Sequence, residues 1–188
     1  MQQGQDNTDE EDQALLAKAK RGGARAKTAY GALVQRHQAW LVRLLAQLLQ
    51  KSPAEAEDIA QEAFIRTFAA LDRIPTDVNF RAWLRVTAVR LAYNHRRDAL
   101  TRRRYLDEWR PEDATPTGSQ LEAREALTMT LARLSYPYRE ILILRHAEEM
   151  ALDEIATVLD VGLSAAKMRL SRARKAFIEH YEEVTGNG

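Results

Sequence analysis

A chain of 188 residues with 28 basic and 27 acidic side chains and no cysteine has room for one large domain or two small ones. It excludes disulfide frameworks, thiolate metal centres and cysteine nucleophiles. The near-cancelling charge argues neither for nor against a polyanionic partner, so the distribution of charge has to decide.

In chain order, the opening MQQGQDNTDEEDQ is polar and acidic. It lacks the basic and apolar parts of a signal peptide, and no later apolar run is long enough to cross a bilayer. A disordered tail over residues 1–12 and a cytoplasmic protein without membrane insertion are expected. Ala14 to Leu49 reads as helix interrupted near Gly22 and Gly23, with Tyr30, Leu33, Val34, Leu41, Leu44, Leu45 and Leu48 at helical spacing. Ser52 before Pro53 is a helix start, and that helix is expected to run to about Asp72. RIPTDVN makes a loop, and a further helix covers about Phe80 to Arg97. The stretch RRRYLDEWRPEDATPTGSQ then loses its apolar rhythm and collects Pro, Gly, Thr and Asp, as a linker does.

From Gln120 onward four helical patterns follow, punctuated by Pro137, EEMA and DVGLS. No segment alternates apolar and polar residues as a half-buried strand does. The expected fold class is all-α: two small helical domains, residues 13–99 and 120–182, joined by a flexible linker over 100–119, with a short tail at 183–188.

Three helices carry features beyond a plain core. In the last, Ala166, Leu170, Ala173 and Phe177 share one stripe, while Ser164, Lys167, Met168, Ser171, Arg172 and Lys175 lie opposite. The preceding helix buries Leu152, Ile155, Ala156 and Leu159, and Ala156 is small enough to let the two cross closely. A helix pair on so short a turn is a helix-turn-helix, whose second helix enters the DNA major groove. Lys and Arg there can contact phosphate or guanine; the competing reading is a solvated basic helix in an ordinary bundle. In the Pro53 helix, Ala56, Ile59, Ala60, Ala63, Phe64, Thr67, Phe68 and Leu71 form the inner side. That leaves Asp58, Gln61, Glu62, Ile65, Ala69 and Asp72 facing out. An apolar Ile65 with a polar rim is either a lone surface residue or the centre of a protein interface. Glu57, Asp58 and Glu62 could also be acid/base or metal-ligating carboxylates, but His37, His95, His146 and His180 are scattered, none within helical reach of them.

In the Phe80 helix the inner face is Phe80, Trp83, Leu84, Thr87 and Leu91. Arg81 and Arg85 flank it on one side, Arg90 and Arg97 on the other, and Arg96, Arg102, Arg103 and Arg104 extend the charge. Arginines interleaved with Trp83, Tyr93 and His95 suit a nucleic-acid surface, although Trp83 and Tyr93 also fit a core role.

The segments AEAEDIAQEAFIRTFAALDRI and FRAWLRVTAVRLAYNHRR resemble region 2 of bacterial sigma-70 family factors, in the compact extracytoplasmic-function (ECF) group. LARLSYPYREILILRHAEEMALDEIATVLDVGLSAAKMRLSRARKAF resembles region 4 of the same group, and together the likeness runs from about Asp12 to Phe177. It implies a non-enzymatic promoter-specificity factor that uses no cofactor or metal. Asp58, Gln61, Glu62 and Ile65 then dock on core RNA polymerase at the beta-prime clamp, while the beta flap receives the rear domain. Asp77, Asn79, Arg81, Trp83, Arg85, Arg90 and Arg97 meet the minus-10 element, where a base is flipped out. Ser164, Ala165, Lys167, Met168, Ser171, Arg172 and Lys175 meet the minus-35 element. The resemblance also implies an anti-sigma partner, and a path for linker acids Asp107, Glu108, Glu112 and Asp113 toward the active-site and RNA-exit channel.

The chain departs from the family pattern in places. Val89 and Arg90 stand where the group commonly has Arg-Asn, Asp160 where the turn commonly has Gly, and Ser164, Ala165 and Ala166 in place of Gly-Thr-Val. An altered promoter sequence is expected. The alternative is a two-domain helix-turn-helix repressor or activator acting without polymerase docking.

Overall fold

A computed structural model describes residues 2–75, 78–103 and 119–186. The chain divides into two compact units, Met1–Arg97 and Asp98–Gly188. All regular structure among the described residues is helical.

The first unit contains α1 (Gln2–Lys20), α2 (Ala24–Leu49), α3 (Pro53–Ala69), a 3-10 turn at Leu71–Arg73, and α4 (Phe80–Arg103), which continues past the unit boundary. Gly22 and Gly23, at φ 72° and 78°, make the break between α1 and α2 in the left-handed region that favours glycine. The start of α3 is a capping box: Ser52 Oγ accepts from the Glu55 amide at 3.4 Å and Glu55 Oε2 accepts from the Ser52 amide at 3.2 Å. Pro53 occupies the first turn, where no intrahelical donor is lost. Ala56, Ala60 and Ala63 keep the buried side of α3 thin, so α2 packs closely on it. Leu16, Leu33, Leu41, Leu45, Phe80 and Leu84 fill the common core.

The acidic start corrects one expectation. Residues 1–12 were expected to be a disordered tail, yet α1 begins at Gln2 and Asp12 is 2% exposed. Its carboxylate meets His37 Nε2 at 2.6 Å and Arg36 Nε at 2.9 Å, while Leu16 and Ala19 are buried in the core. An acidic run folds here because the next helix supplies the opposite charges.

The second unit contains α5 (Ser119–Arg133), α6 (Tyr136–Leu142), a π-helical turn at Ile143–Ala147, α7 (Leu152–Val158) and α8 (Leu163–Thr185). α8 packs on α5, α6 and α7, and it extends to Thr185, into the stretch expected to be a tail. Pro137 lies in the first turn of α6. Arg139, only 5% exposed, donates from one guanidinium nitrogen to the Leu131 and Leu134 carbonyls, both at 3.3 Å, which satisfies the end of α5. Tyr136 Oη donates to buried Glu140 at 2.9 Å, and Arg145 donates to the Met150 carbonyl at 2.7 Å, tying the π-helical turn to the approach of α7. The linker expected at 100–119 falls mostly outside the described residues: α4 runs to Arg103 and α5 begins at Ser119.

Candidate protein and nucleic-acid interfaces

The outer face of α3 is laid out as its sequence requires. Asp58, Gln61 and Ile65 are exposed, Ile65 at 68%. Beside them, between α2 and α3, runs a cleft of about 590 Å³ lined by Lys27, Tyr30, Val34, Phe64, Ile65 and Phe68. Phe68 was expected on the inner side and is instead 42% exposed. It lies at the margin of the buried stripe, where Tyr30 covers one ring edge at a 4.9 Å centroid distance. The Tyr30 hydroxyl donates to the Phe64 carbonyl at 2.6 Å, so the wall of the cleft is fixed by a buried hydrogen bond. The sequence wheel therefore found Ile65 but missed that Phe68 and the cleft extend its apolar surface.

Glu62 faces the same way and is tied to its surroundings. One carboxylate oxygen lies 3.0 Å from His95 Nε2 on α4, and the other accepts from Arg66 at 2.6 Å. The hydrogen bond from His95, followed by that from Arg66, holds the Glu62 carboxyl below its ordinary value. Glu57, Asp58 and Glu62 form no metal cluster, nor does any group of three or more ligating side chains among the described residues.

On α4, Phe80, Leu84 and Leu91 are buried as expected, with Ala88, Val89 and Ala92 beside them. Val89, at 0% exposure, faces the core, so the departure from the family pattern at this position sits inside the unit, while Arg90 is exposed. Trp83 is half-buried against the core. Arg81 lays its guanidinium over the Trp40 ring at 4.2 Å, Arg85 is half-buried and Arg97 exposed. Asn79 is occupied as a helix cap: its Oδ1 accepts from the Ala82 amide at 2.9 Å, and its Nδ2 donates to Asp9 at 2.8 Å. Asp77, Arg104 and the linker acids Asp107, Glu108, Glu112 and Asp113 lie outside the described residues.

α7 and α8 form the expected helix-turn-helix. Asp160 sits at φ 52°, and the Val161 amide donates to the Ala156 carbonyl at 2.9 Å, which is the six-to-one bond of a Schellman cap. Asp supplies the left-handed residue because a short polar side chain tolerates that region better than most. Gly162, at φ −66°, takes the ordinary N-cap conformation. On α8, Ala166, Leu170 and Ala173 are buried, whereas Ser164, Ala165, Lys167, Met168, Ser171, Arg172 and Lys175 are all exposed. Phe177 is only half-buried and stacks on Tyr181 at 5.8 Å. Lys175 makes a loose exposed pair with Glu179 at 3.9 Å. Sequence reasoning missed His146, whose imidazole is pushed below its ordinary value by burial and then by Arg174 and Arg145. The two cations, Arg145 of the π-helical turn and Arg174 of α8, come from separate helical segments, a proximity to the imidazole that spacing along one helix does not show.

Comparison with known proteins accounts for both units. Residues 33–105 match the family model for sigma-70 region 2, and residues 124–177 match that for sigma-70 region 4. The RNA polymerase sigma-H factor of Pseudomonas aeruginosa is 31% identical over 90% of this chain and 93% of its own length. The ECF factor SigW of Bacillus subtilis is 30% identical over 69% of this chain and 77% of its own. Among solved structures, CnrH in complex with the cytosolic domain of CnrY superposes with a TM-score of 0.60 at 27% identity, covering 90% of this chain and 96% of that one. With both regions present in order and relatives matched over three quarters or more of their own length, this chain belongs to the ECF group of the sigma-70 family of RNA polymerase sigma factors.

Proposed function

We propose that the outer face of α3, centred on Ile65 and rimmed by Asp58, Gln61 and Glu62, is the surface that docks on core RNA polymerase at the beta-prime clamp. α4 then meets the minus-10 element through Arg81, Trp83, Arg85, Arg90 and Arg97, and α8 meets the minus-35 element through Ser164, Ala165, Lys167, Met168, Ser171, Arg172 and Lys175. The observation that supports this most is the exposure of Ile65, 68% free beside an apolar cleft. A large exposed aliphatic side chain joined to a cleft and rimmed by polar groups is how the centre of a protein interface is built.

The basic, exposed face of α8 supports duplex binding, where lysines and arginines set position on phosphates and reach guanine edges. Each DNA contact is modest alone; holding both on one polymerase raises the effective concentration of the second once the first is made. The flipped-base step on α4 must offset a few kcal/mol of lost stacking, roughly the magnitude for such extrusions. CnrH was solved with a protein bound to it, and we extend this to an anti-sigma partner that covers the polymerase and DNA faces here. Action in the cytoplasm, where polymerase and promoter are found, belongs to the same reading.

The test is run-off transcription with purified core polymerase. Transcription by the wild-type chain from a selected promoter, lost in Ile65→Asp, is the expected result. Binding to a palindromic duplex without polymerase would favour a free-standing repressor or activator instead.

A further inference from the structure

The region 2 family model starts at residue 33, downstream of α1. Yet α1 reaches the α3–α4 connection at two points, Asp9 and its last residue, Lys20. Asp9 Oδ2 accepts from Asn79 Nδ2 at 2.8 Å across 70 residues of chain, and Lys20 Nζ donates to the Ile74 carbonyl across 54. Between these points Asp12 grips His37, whose ring lies 5.4 Å from that of Phe80, the first residue of α4. The contacts of Asp9 and Lys20 are charge-assisted hydrogen bonds to neutral groups.

Asn79 is the pivot. Its Oδ1 caps α4 through the Ala82 amide while its Nδ2 is held by Asp9, so both ends of the amide are engaged and its orientation is set. The first turn of α4 then carries Arg81, seated on Trp40 of α2, and half-buried Trp83. We propose that α1 is a positioning element for minus-10 recognition: Asp9 and Lys20 hold Asn79 and Ile74 so that the first turn of α4 meets promoter DNA already in its working orientation. The gain is preorganisation, because ordering that is complete before DNA arrives need not be made at the expense of binding. This rests on the reading of α4 as the minus-10 surface.

The experiment uses the full chain reconstituted with core polymerase on a duplex promoter, reading permanganate reactivity of unpaired thymines in the minus-10 element and, separately, affinity for core polymerase. Asp9→Ala and Lys20→Met are expected to lower the open-complex population about three- to tenfold, the range for net loss of one ordinary hydrogen bond, with polymerase affinity unchanged. Asn79→Asp places two carboxylates together and is expected to open poorly. Adding Asp9→Asn to it recreates the hydrogen bond in reverse, with Asp still able to cap α4, and should recover opening relative to Asn79→Asp alone. Wild-type opening by Asp9→Ala, equal losses of opening and polymerase affinity, or no recovery in the exchanged pair each overturn the proposal. A wild-type chain that binds polymerase but opens no promoter overturns the α4 assignment itself, and this positioning role with it.

Discussion

Ile65 gives the sharpest prediction because its exposure separates folding from docking. Replacing Ile with Ala removes three carbons, worth about 0.8 kcal/mol each when fully buried. With 68% of the side chain free in the isolated protein, about a third of that, roughly 0.8 kcal/mol, is at stake in folding, and about 1.6 kcal/mol is left for an interface to gain. Ile65→Ala should therefore weaken core polymerase binding roughly fifteenfold, at about 1.4 kcal/mol per factor of ten, while lowering the urea midpoint by only about 0.3–0.8 M. Ile65→Asp adds a carboxylate beside Asp58 and Glu62 and buries it on docking, a cost of several kcal/mol, so a loss of at least about a hundredfold is expected. Competition of labelled and unlabelled chains for core polymerase measures the affinity, and urea denaturation of the same samples measures the fold. Binding by Ile65→Asp within about threefold of wild type would refute the reasoning, as would a loss matched by collapse of the folded state.

The remaining predictions concern charge, pH and the helix-turn-helix crossing. Lys167→Ala and Arg172→Ala should each weaken promoter binding and leave polymerase affinity intact. If the lost contact is to phosphate, the slope of log K against log salt should drop by about one; a change in polymerase affinity would move these residues off the DNA face. Glu62, held below its ordinary range by His95 and Arg66, stabilises the fold above the unfolded glutamate pKa and loses that contribution as pH falls through its lower folded value. The urea midpoint of the wild type should accordingly fall more steeply on acidification below the ordinary glutamate range than that of Glu62→Gln, and parallel curves would contradict the pairing. Ala156 is 5% exposed on α7, which packs on α8, so three added carbons would crowd that packing. Ala156→Leu should cost about 1–3 kcal/mol and weaken minus-35 binding, seen as lower thermal stability and faster amide exchange in α7 and α8.

The order of helices, the all-helical class, the exposed α8 face and the prominence of Ile65 were legible in the sequence alone. Periodicity places side chains on a helix at a fixed angle per residue, so residues within one helix sort themselves into inner and outer faces without knowledge of any neighbour. The turn before α8 was legible for a related reason: Asp160 takes a backbone conformation that depends mainly on its own side chain. What only tertiary structure decided were the contacts between segments far apart in the chain. α1 forms because His37 and Arg36 meet Asp12; Asn79 caps α4 and is held by Asp9; Phe68 lines a cleft instead of a core. Glu62 is bound to His95 across α3 and α4. Such pairings depend on where two helices cross, and that geometry is settled by the packing of the whole unit, which no local spacing encodes.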